Sequence, residues 1–129
     1  MNTQYVQYHR KLLQALQQAA AQAMPTNELS EEDQQLLEQL DHITNSKSFD
    51  ETFFDIGQRA LCRIVAAHPF LAPQVPRDLF WLFGGDCLHF MPDEEISLYQ
   101  QLDELRFEAE NDNTVFDYEK QRARILGLH

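Results

Sequence analysis

Apolar residues recur every three or four positions along most of this sequence, and that spacing constrains the fold more than any other feature. In residues 3–23, one apolar stripe is formed by Tyr5, Tyr8, Leu12, Leu16, Ala19 and Ala23. A spacing near 3.6 residues places such side chains on one face of a helix, whereas a strand needs strict alternation. No segment alternates apolar and polar residues over the length of a strand. The pattern therefore predicts an all-α fold.

Later stripes indicate which helix lies at the centre. The third is the most apolar, and its inner face comprises Phe49, Phe53, Gly57, Ala60, Leu61 and Ile64. The last two helices carry shorter stripes, formed by Leu98, Leu102, Leu105 and Ala109 and by Tyr118, Gln121, Ile125 and Leu128. His9 and His42 fall at border or solvent-facing positions and receive no role. Arg59 follows Asp55 by one turn, which predicts a surface ion pair.

Several helix starts are marked by side chains that can accept hydrogen bonds from free backbone N–H groups. The stretch S-E-E-D begins at Ser30, S-F-D-E begins at Ser48, and Thr114 with Asp117 forms a similar pattern. Pro92 and the three acids after it suit a further helix start, because proline is tolerated there and acids favour the positive end of the helix dipole. We expect the first helix to end at the stretch MPTN, the third at about Ala67 and the fifth at about Glu110.

Proline and glycine divide the remaining sequence. Residues 68–76, HPFLAPQVP, contain three prolines and cannot form a regular helix. A short helix from Pro76 then ends at Gly84-Gly85, since glycine tolerates positive φ. The length of 129 residues suits one domain with a real core. We predict a single domain over residues 1–129, a compact bundle of five to six helices with a Pro-rich connection and a Gly-Gly break.

The charge balance restricts the partners. Ten basic residues stand against 21 acidic ones, for a net charge of −11. Phosphate backbones and anionic membranes would repel such a chain, so we expect no nucleic acid and no membrane among its partners. No apolar run approaches the roughly 20 residues that span a bilayer, and two cysteines are too few for a disulfide-rich secreted fold. We therefore predict a cytoplasmic protein with reduced thiols.

The stretch LFWLFGGDCLHFMPDEE, residues 79–95, concentrates reactive and aromatic side chains. GGDCLHF resembles the GGD signature of diguanylate cyclases over a few residues, but that family's motif lies on a hairpin, and helical patterns flank it here. Asp86, Cys87 and His89, with Cys62 or His68, offer metal ligands or a nucleophile. The C-x-H spacing is not that of a zinc site, and nearby acids oppose a thiolate. We predict no catalytic residue, metal ligand or cofactor, and favour a structural corner in which Asp86 caps a turn and Cys87 is buried.

The surplus of aromatic residues points instead to a binding surface. Trp81 lies between two apolar neighbours on a short helix, so not all three can easily face inward, and the sequence leaves its exposure open. A line roughly opposite the leucine stripe of their helix is formed by Ile96, Gln100, Asp103 and Phe107. The predicted partner-binding residues are the apolar anchors Trp81, Phe83, Phe90, Ile96 and Phe107, framed by the acids Asp93, Glu94, Glu95 and Asp103.

These observations predict a small acidic cytosolic accessory or regulatory protein that acts by binding another protein, as an adaptor, a chaperone-like binder or an inhibitor. Its partner would present a basic surface, and self-association as a homodimer is a further expectation. The alternative is a helical protein that binds a small molecule or metal, and could be an enzyme, with its pocket near Trp81–His89. The sequence favours binding over catalysis.

Overall fold

The computed structural model describes residues 3–24 and 26–128, and this part of the chain contains helices and no strand. The α-helices are α1 (Thr3–Ala23), α2 (Glu31–Asn45), α3 (Glu51–Ala67), α4 (Arg77–Phe83), α5 (Asp93–Asn111) and α6 (Tyr118–Ile125). Three short 3₁₀ helices are added at Thr26–Glu28, Ala72–Gln74 and Gly85–Phe90. The all-α prediction is confirmed, with more helical segments than the five to six expected. Pro25, part of the predicted end of α1, lies outside the described residues.

Side-chain caps set the start of three helices. The Ser30 hydroxyl accepts a hydrogen bond from the backbone N–H of Asp33 at 3.1 Å, as predicted. The cap of α3 is Asp50 rather than Ser48, and its carboxylate accepts from the backbone N–H of Phe53 at 2.9 Å. The prediction was wrong by two residues because the stretch S-F-D-E holds two capping side chains, and the charged one makes the stronger bond. Asp117 caps α6 in the same way.

The helices pack in chain order and then close on themselves. α1 packs on α2 and α2 on α3, α4 contacts both α1 and α3, and α6 lies against α5 and α1. The core is formed by residues that are almost completely buried, among them Leu13, Leu16, Leu40, Ile43, Phe53, Leu61, Ile64 and Leu79. None of the described helices is long and apolar enough to cross a membrane.

Two of the predicted helix faces are rotated. In α1 the buried residues are Tyr5, His9, Leu13, Leu16 and Ala20, and in α5 they are Tyr99, Leu102, Arg106 and Ala109. The predicted stripes held Leu12 and Leu105 where the structure buries His9, Leu13 and Arg106. The partners of His9 and Arg106 inside the protein reduce the cost of burying these polar side chains, although Arg106 Nε has no hydrogen-bond partner among the described residues.

A tight corner follows α4. Gly84 and Gly85 have φ values of 64° and 55°, a conformation that favours glycine. The side-chain amide of Gln58, on α3, donates to the Phe83 carbonyl oxygen at 2.8 Å and holds the corner in place. The Phe83 ring lies directly over Gly57, where a Cβ atom would overlap it. α3 and α4 therefore approach as closely as they do because residue 57 has no side chain.

We expect Gly57→Ala to destabilise the protein by about 1–3 kcal/mol, because the added methyl group forces the Phe83 ring to move within a packed core. Urea denaturation followed by circular dichroism measures the change. In the double variant Gly57→Ala/Phe83→Leu the smaller side chain leaves room for the methyl group, so its destabilisation should be less than the sum of the two single effects. Strict additivity would contradict the proposed overlap.

Candidate functional site

Trp81 is half-buried and held in place by α5. Its indole N–H donates a hydrogen bond to Asp103 Oδ2 at 2.8 Å. Its ring stacks on Tyr99, with centroids 6.2 Å apart and planes 22° from parallel. One edge of the only tryptophan is thus used to join α4 to α5, while part of the ring remains at the surface. Asp103 and Trp81, both predicted as partner-binding residues, are brought together.

Arg106 lies under the exposed ring of Phe107. Arg106 is only 5% exposed, and its Nη2 donates to Asp103 Oδ1 at 3.3 Å. Its guanidinium carbon lies 4.0 Å from the ring centroid of Tyr5 and 4.5 Å from that of Phe107. The cation therefore contacts two aromatic rings, an attractive arrangement. Phe107 is 51% exposed, so its contact with Arg106 leaves half of the side chain available to another molecule.

A buried ion pair joins α4 to α6. Asp78 is 3% exposed, and its two carboxylate oxygens accept hydrogen bonds from Arg122 Nε at 2.7 Å and Nη2 at 2.9 Å. Desolvation lowers the pKa of Arg122, but the hydrogen bonds and charge of Asp78 outweigh it and raise the pKa above its ordinary value. Because Arg122 holds Asp78 in this bidentate geometry, the carboxylate is fully engaged and is poorly suited to act as a general base.

His9 is buried among aromatic rings. Its Nδ1 lies 2.7 Å from the Tyr5 carbonyl oxygen, which can only accept, so Nδ1 carries the proton and donates. The rings of Tyr5, Tyr8 and Tyr118 have centroids 4.3, 5.3 and 5.6 Å from that of His9. Burial lowers the pKa of His9, since the protonated ring would lose its hydration. The burial of His9 differs from its predicted border position, although a place four residues after Tyr5 and four before Leu13 is consistent with the buried face.

These groups form one largely buried polar cluster between α1, α4, α5 and α6, which comprises the buried residues Tyr5, His9, Asp78, Tyr99, Arg106 and Tyr118 and the half-buried residues Tyr8, Asp103 and Arg122. Desolvation raises the pKa of Tyr5 and of Tyr8 to about 12. Both hydroxyls are therefore protonated near neutral pH, and neither is activated as a nucleophile or base. The arrangement is that of a structural network joining four helices.

Asp86, Cys87, His89 and His68 are separated rather than assembled. Cys87 is completely buried, and desolvation raises the pKa of its thiol to about 12, which opposes a role as a catalytic nucleophile toward an external substrate. Asp86 and His89 are exposed, and His68 Nε2 lies 3.0 Å from Asp33 Oδ1 on α2. Among residues 3–24 and 26–128, no three His, Cys, Asp or Glu side chains are placed to share a metal ion.

The predicted partner-binding residues have different surroundings. Phe83 is 3% exposed and packs in the core against Phe53, so it is not accessible to a partner. The others reach the surface to some extent: Phe107, Asp93 and Glu94 are exposed, and Trp81, Phe90, Ile96, Glu95 and Asp103 are half-buried. Glu95 is paired with Arg77 at 2.9 Å. All but Phe83 therefore remain candidates for a binding surface.

We expect Asp78→Asn to destabilise the protein by about 3 kcal/mol, because it leaves the Arg122 charge without its counterion in a mostly buried site. Asp55→Asn is a matched control, since it removes the same charge from an ion pair with Arg59 whose side chains are 57% and 68% exposed. The control should change the free energy of unfolding by about 0.5 kcal/mol or less. Equal effects of the two substitutions in urea denaturation would contradict the importance given to the buried pair.

His9 should make the protein less stable in mild acid. Its pKa is lowered by folding from the ordinary 6.5, so below about that pH the unfolded chain binds a proton that the folded protein resists. The free energy of unfolding is therefore unaffected by protonation of His9 above its ordinary pKa and decreases as the pH falls below that value. Each pH unit below it should remove at most about 1.4 kcal/mol. Urea midpoints at about pH 7.5 and 5.5 should fall less in His9→Gln than in the wild type, and the exposed-site control His42→Gln should behave as the wild type.

Similarity to a known family extends over the whole chain. No curated protein and no solved structure matched it. A family model with the description PA2817-like matched residues 1–129. The chain therefore belongs to the PA2817-like family.

Proposed function

We propose that this protein is a cytoplasmic accessory or regulatory protein that binds a basic partner protein through a surface on and beside α5. This surface, named the α5 surface, comprises the anchors Trp81, Phe90, Ile96 and Phe107 with the acids Asp93, Glu94, Glu95 and Asp103, and the acids are spread around the helix rather than confined to one face. One observation carries the proposal: the only basic residue of α5, Arg106, is buried beneath Phe107. The acids of α5 thus have no basic neighbour from their own helix at the surface.

The apolar part of the α5 surface would provide the binding energy. Ile96, Asp103 and Phe107 follow one another at spacings of seven and four residues and share one side of the helix, and Asp103 holds the Trp81 indole by a hydrogen bond. Large aromatic side chains at the centre of an interface commonly account for most of the affinity. About half of Phe107 is buried, and the Arg106 guanidinium packs on its ring at 4.5 Å, which restricts the ring before a partner arrives. A preorganised anchor loses less entropy on binding.

The acidic part would select the partner. α5 carries seven acids, namely Asp93, Glu94, Glu95, Asp103, Glu104, Glu108 and Glu110. Such a surface attracts a basic partner, increases the rate of encounter at low salt and repels acidic proteins. Docking of two copies through the same surface would bring the acids together, and this favours a basic partner of a different kind over a symmetric dimer. The proposed occupant is therefore a basic segment with at least one apolar side chain.

A small-molecule or metal site near Trp81–His89 is the alternative. It has less support than the α5 surface, because Phe83 and Cys87 in this stretch belong to the packed core. The indole N–H of Trp81, its only side-chain hydrogen-bond donor, is also already bonded to Asp103.

The test compares capture of proteins from the native lysate by the wild type and by Ile96→Ala/Phe107→Ala. Loss of these side chains should weaken capture of a specific partner by about 30-fold, the effect of losing roughly 2 kcal/mol of hot-spot energy. Because acids steer the encounter, capture of the same partner should also weaken as salt is raised.

The matched control is Phe70→Ala/Val115→Ala, which removes two apolar side chains that are even more exposed but lie outside the α5 surface. Capture by the control should equal that by the wild type, with circular dichroism showing that all three proteins are folded. Equal capture by the wild type and the α5 variant, or equal loss in both variants, would refute the proposed surface. A change in oligomeric state of the α5 variant alone, measured by light scattering, would favour self-association instead.

A further inference from the structure

The two cysteines of this chain, far apart in sequence, meet where the corner packs against α3. Cys62 lies on α3, one turn after Gln58, and Cys87 lies in the 3₁₀ helix Gly85–Phe90. The Cys87 thiol donates to the Gln58 carbonyl oxygen, with sulfur and oxygen 4.0 Å apart. That carbonyl lies one helical turn before Cys62, so the Cys87 thiol reaches the turn of α3 that carries Cys62, and the nearby Cys62 thiol adds to burial in raising the pKa of Cys87. The fold therefore brings two cysteines close together that no sequence motif predicts to be neighbours.

The surroundings of this pair hold the two sulfur atoms in place. The Gln58 amide bonds to the Phe83 carbonyl oxygen at 2.8 Å and so ties α3 to the start of the corner. Gly85 packs so closely against Gln58 that an added Cβ would lie 2.8 Å from the side-chain nitrogen. Cys87 is completely buried at this junction, whereas Cys62 is only partly buried. A disulfide between these two residues would join two segments that already pack against each other.

We propose that Cys62 and Cys87 form a reversible intramolecular disulfide when a hydroperoxide reaches the protein. In a reducing compartment such bonds are transient and report on oxidants rather than stabilise a fold. This inference is independent of the proposed binding function, because it concerns a different part of the molecule and its test does not involve a partner.

The difference in burial gives the order of the steps. Cys62 is the accessible thiol, so its thiolate attacks the peroxide: an S–O bond forms, the O–O bond breaks and one water is released, which leaves a sulfenic acid. The sulfur of Cys87 then attacks the Cys62 sulfur, the S–S bond forms, the S–O bond breaks, and the hydroxide leaves with the Cys87 proton as a second water. Two thiols and one hydrogen peroxide thus give one disulfide and two waters. The raised pKa of the Cys87 thiol agrees with its being the second to react.

The experiment treats the purified full chain with hydrogen peroxide, unfolds it in urea, alkylates free thiols with N-ethylmaleimide and determines the intact mass. We expect a monomer that has lost about 2 Da and carries no alkyl group. Reduction of the oxidised protein with dithiothreitol before alkylation should restore two alkylation sites. A Cys62 sulfinic acid, heavier by about 32 Da, beside a Cys87 that still accepts the alkyl group would overturn the proposal, as would disulfide-linked dimers.

Two variants check the order of the steps. In Cys87→Ala, the Cys62 sulfenic acid has no second thiol to meet and should accumulate as its dimedone adduct. In Cys62→Ser, the buried Cys87 should remain available for alkylation after the same treatment and unfolding. Oxidation of Cys87 as rapid in Cys62→Ser as in the wild type would contradict the assigned roles. The wild-type measurement needs neither variant, so the proposal stays testable if Cys87→Ala fails to fold.

Discussion

The hydrogen-bonded pair of Asp78 and Arg122 decides how the last helix, α6, packs against α4. α6 has one fully buried side chain, Tyr118, so apolar burial alone gives the helix little reason to occupy one position. The bidentate bond to Asp78 supplies that reason, because two parallel N–H···O contacts fix distance and orientation together. A buried pair of this kind costs desolvation energy, and its main contribution is to specify one arrangement among several of similar burial.

Aromatic rings stabilise the buried arginine side chains of this polar cluster. Tyr8 lies beside Arg122, with 5.3 Å between ring centroid and guanidinium carbon, and Tyr5 lies under Arg106 at 4.0 Å. The ring faces are negative and stabilise the cations while excluding water. His9 completes the arrangement as a neutral group, held by the Tyr5 carbonyl oxygen. The polar cluster is therefore explained by structure alone, and the surface is where a function has to be sought.

The same network determines the charge of that surface. Arg106 and Arg122 are drawn into the protein, and Arg77 is paired with Glu95. Arg106 pairs with Asp103 and Glu110 of its own helix, and Arg77 pairs with Glu95, so the charges of these three acids are compensated. The half-exposed Phe107 is flanked along the helix by two further acids, Glu104 and Glu108. Fold and proposed function are linked in this way by the placement of a few arginines.

The sequence by itself determined the helices and the corner, because both depend on local physics. Apolar spacing, the cap at Ser30 and the backbone freedom of Gly84-Gly85 act within a few residues, and an error such as Ser48 for Asp50 moves a helix start only slightly. Of the predicted surface, Phe107 could be recognised from its place opposite the leucine stripe, whereas the core position of Phe83 depended on the absence of a side chain at Gly57.

Only the tertiary structure decided which polar residues are buried and which thiols meet. Local patterns predict that His9, Asp78 and Arg106 lie at the surface. Burial of a charge or an imidazole is favourable only when a group from elsewhere in the chain bonds to it. The same holds for Cys62 and Cys87, whose proximity arises from the packing of the corner on α3. Local spacing carries no information about such pairs, because their energy exists only after distant segments have come together.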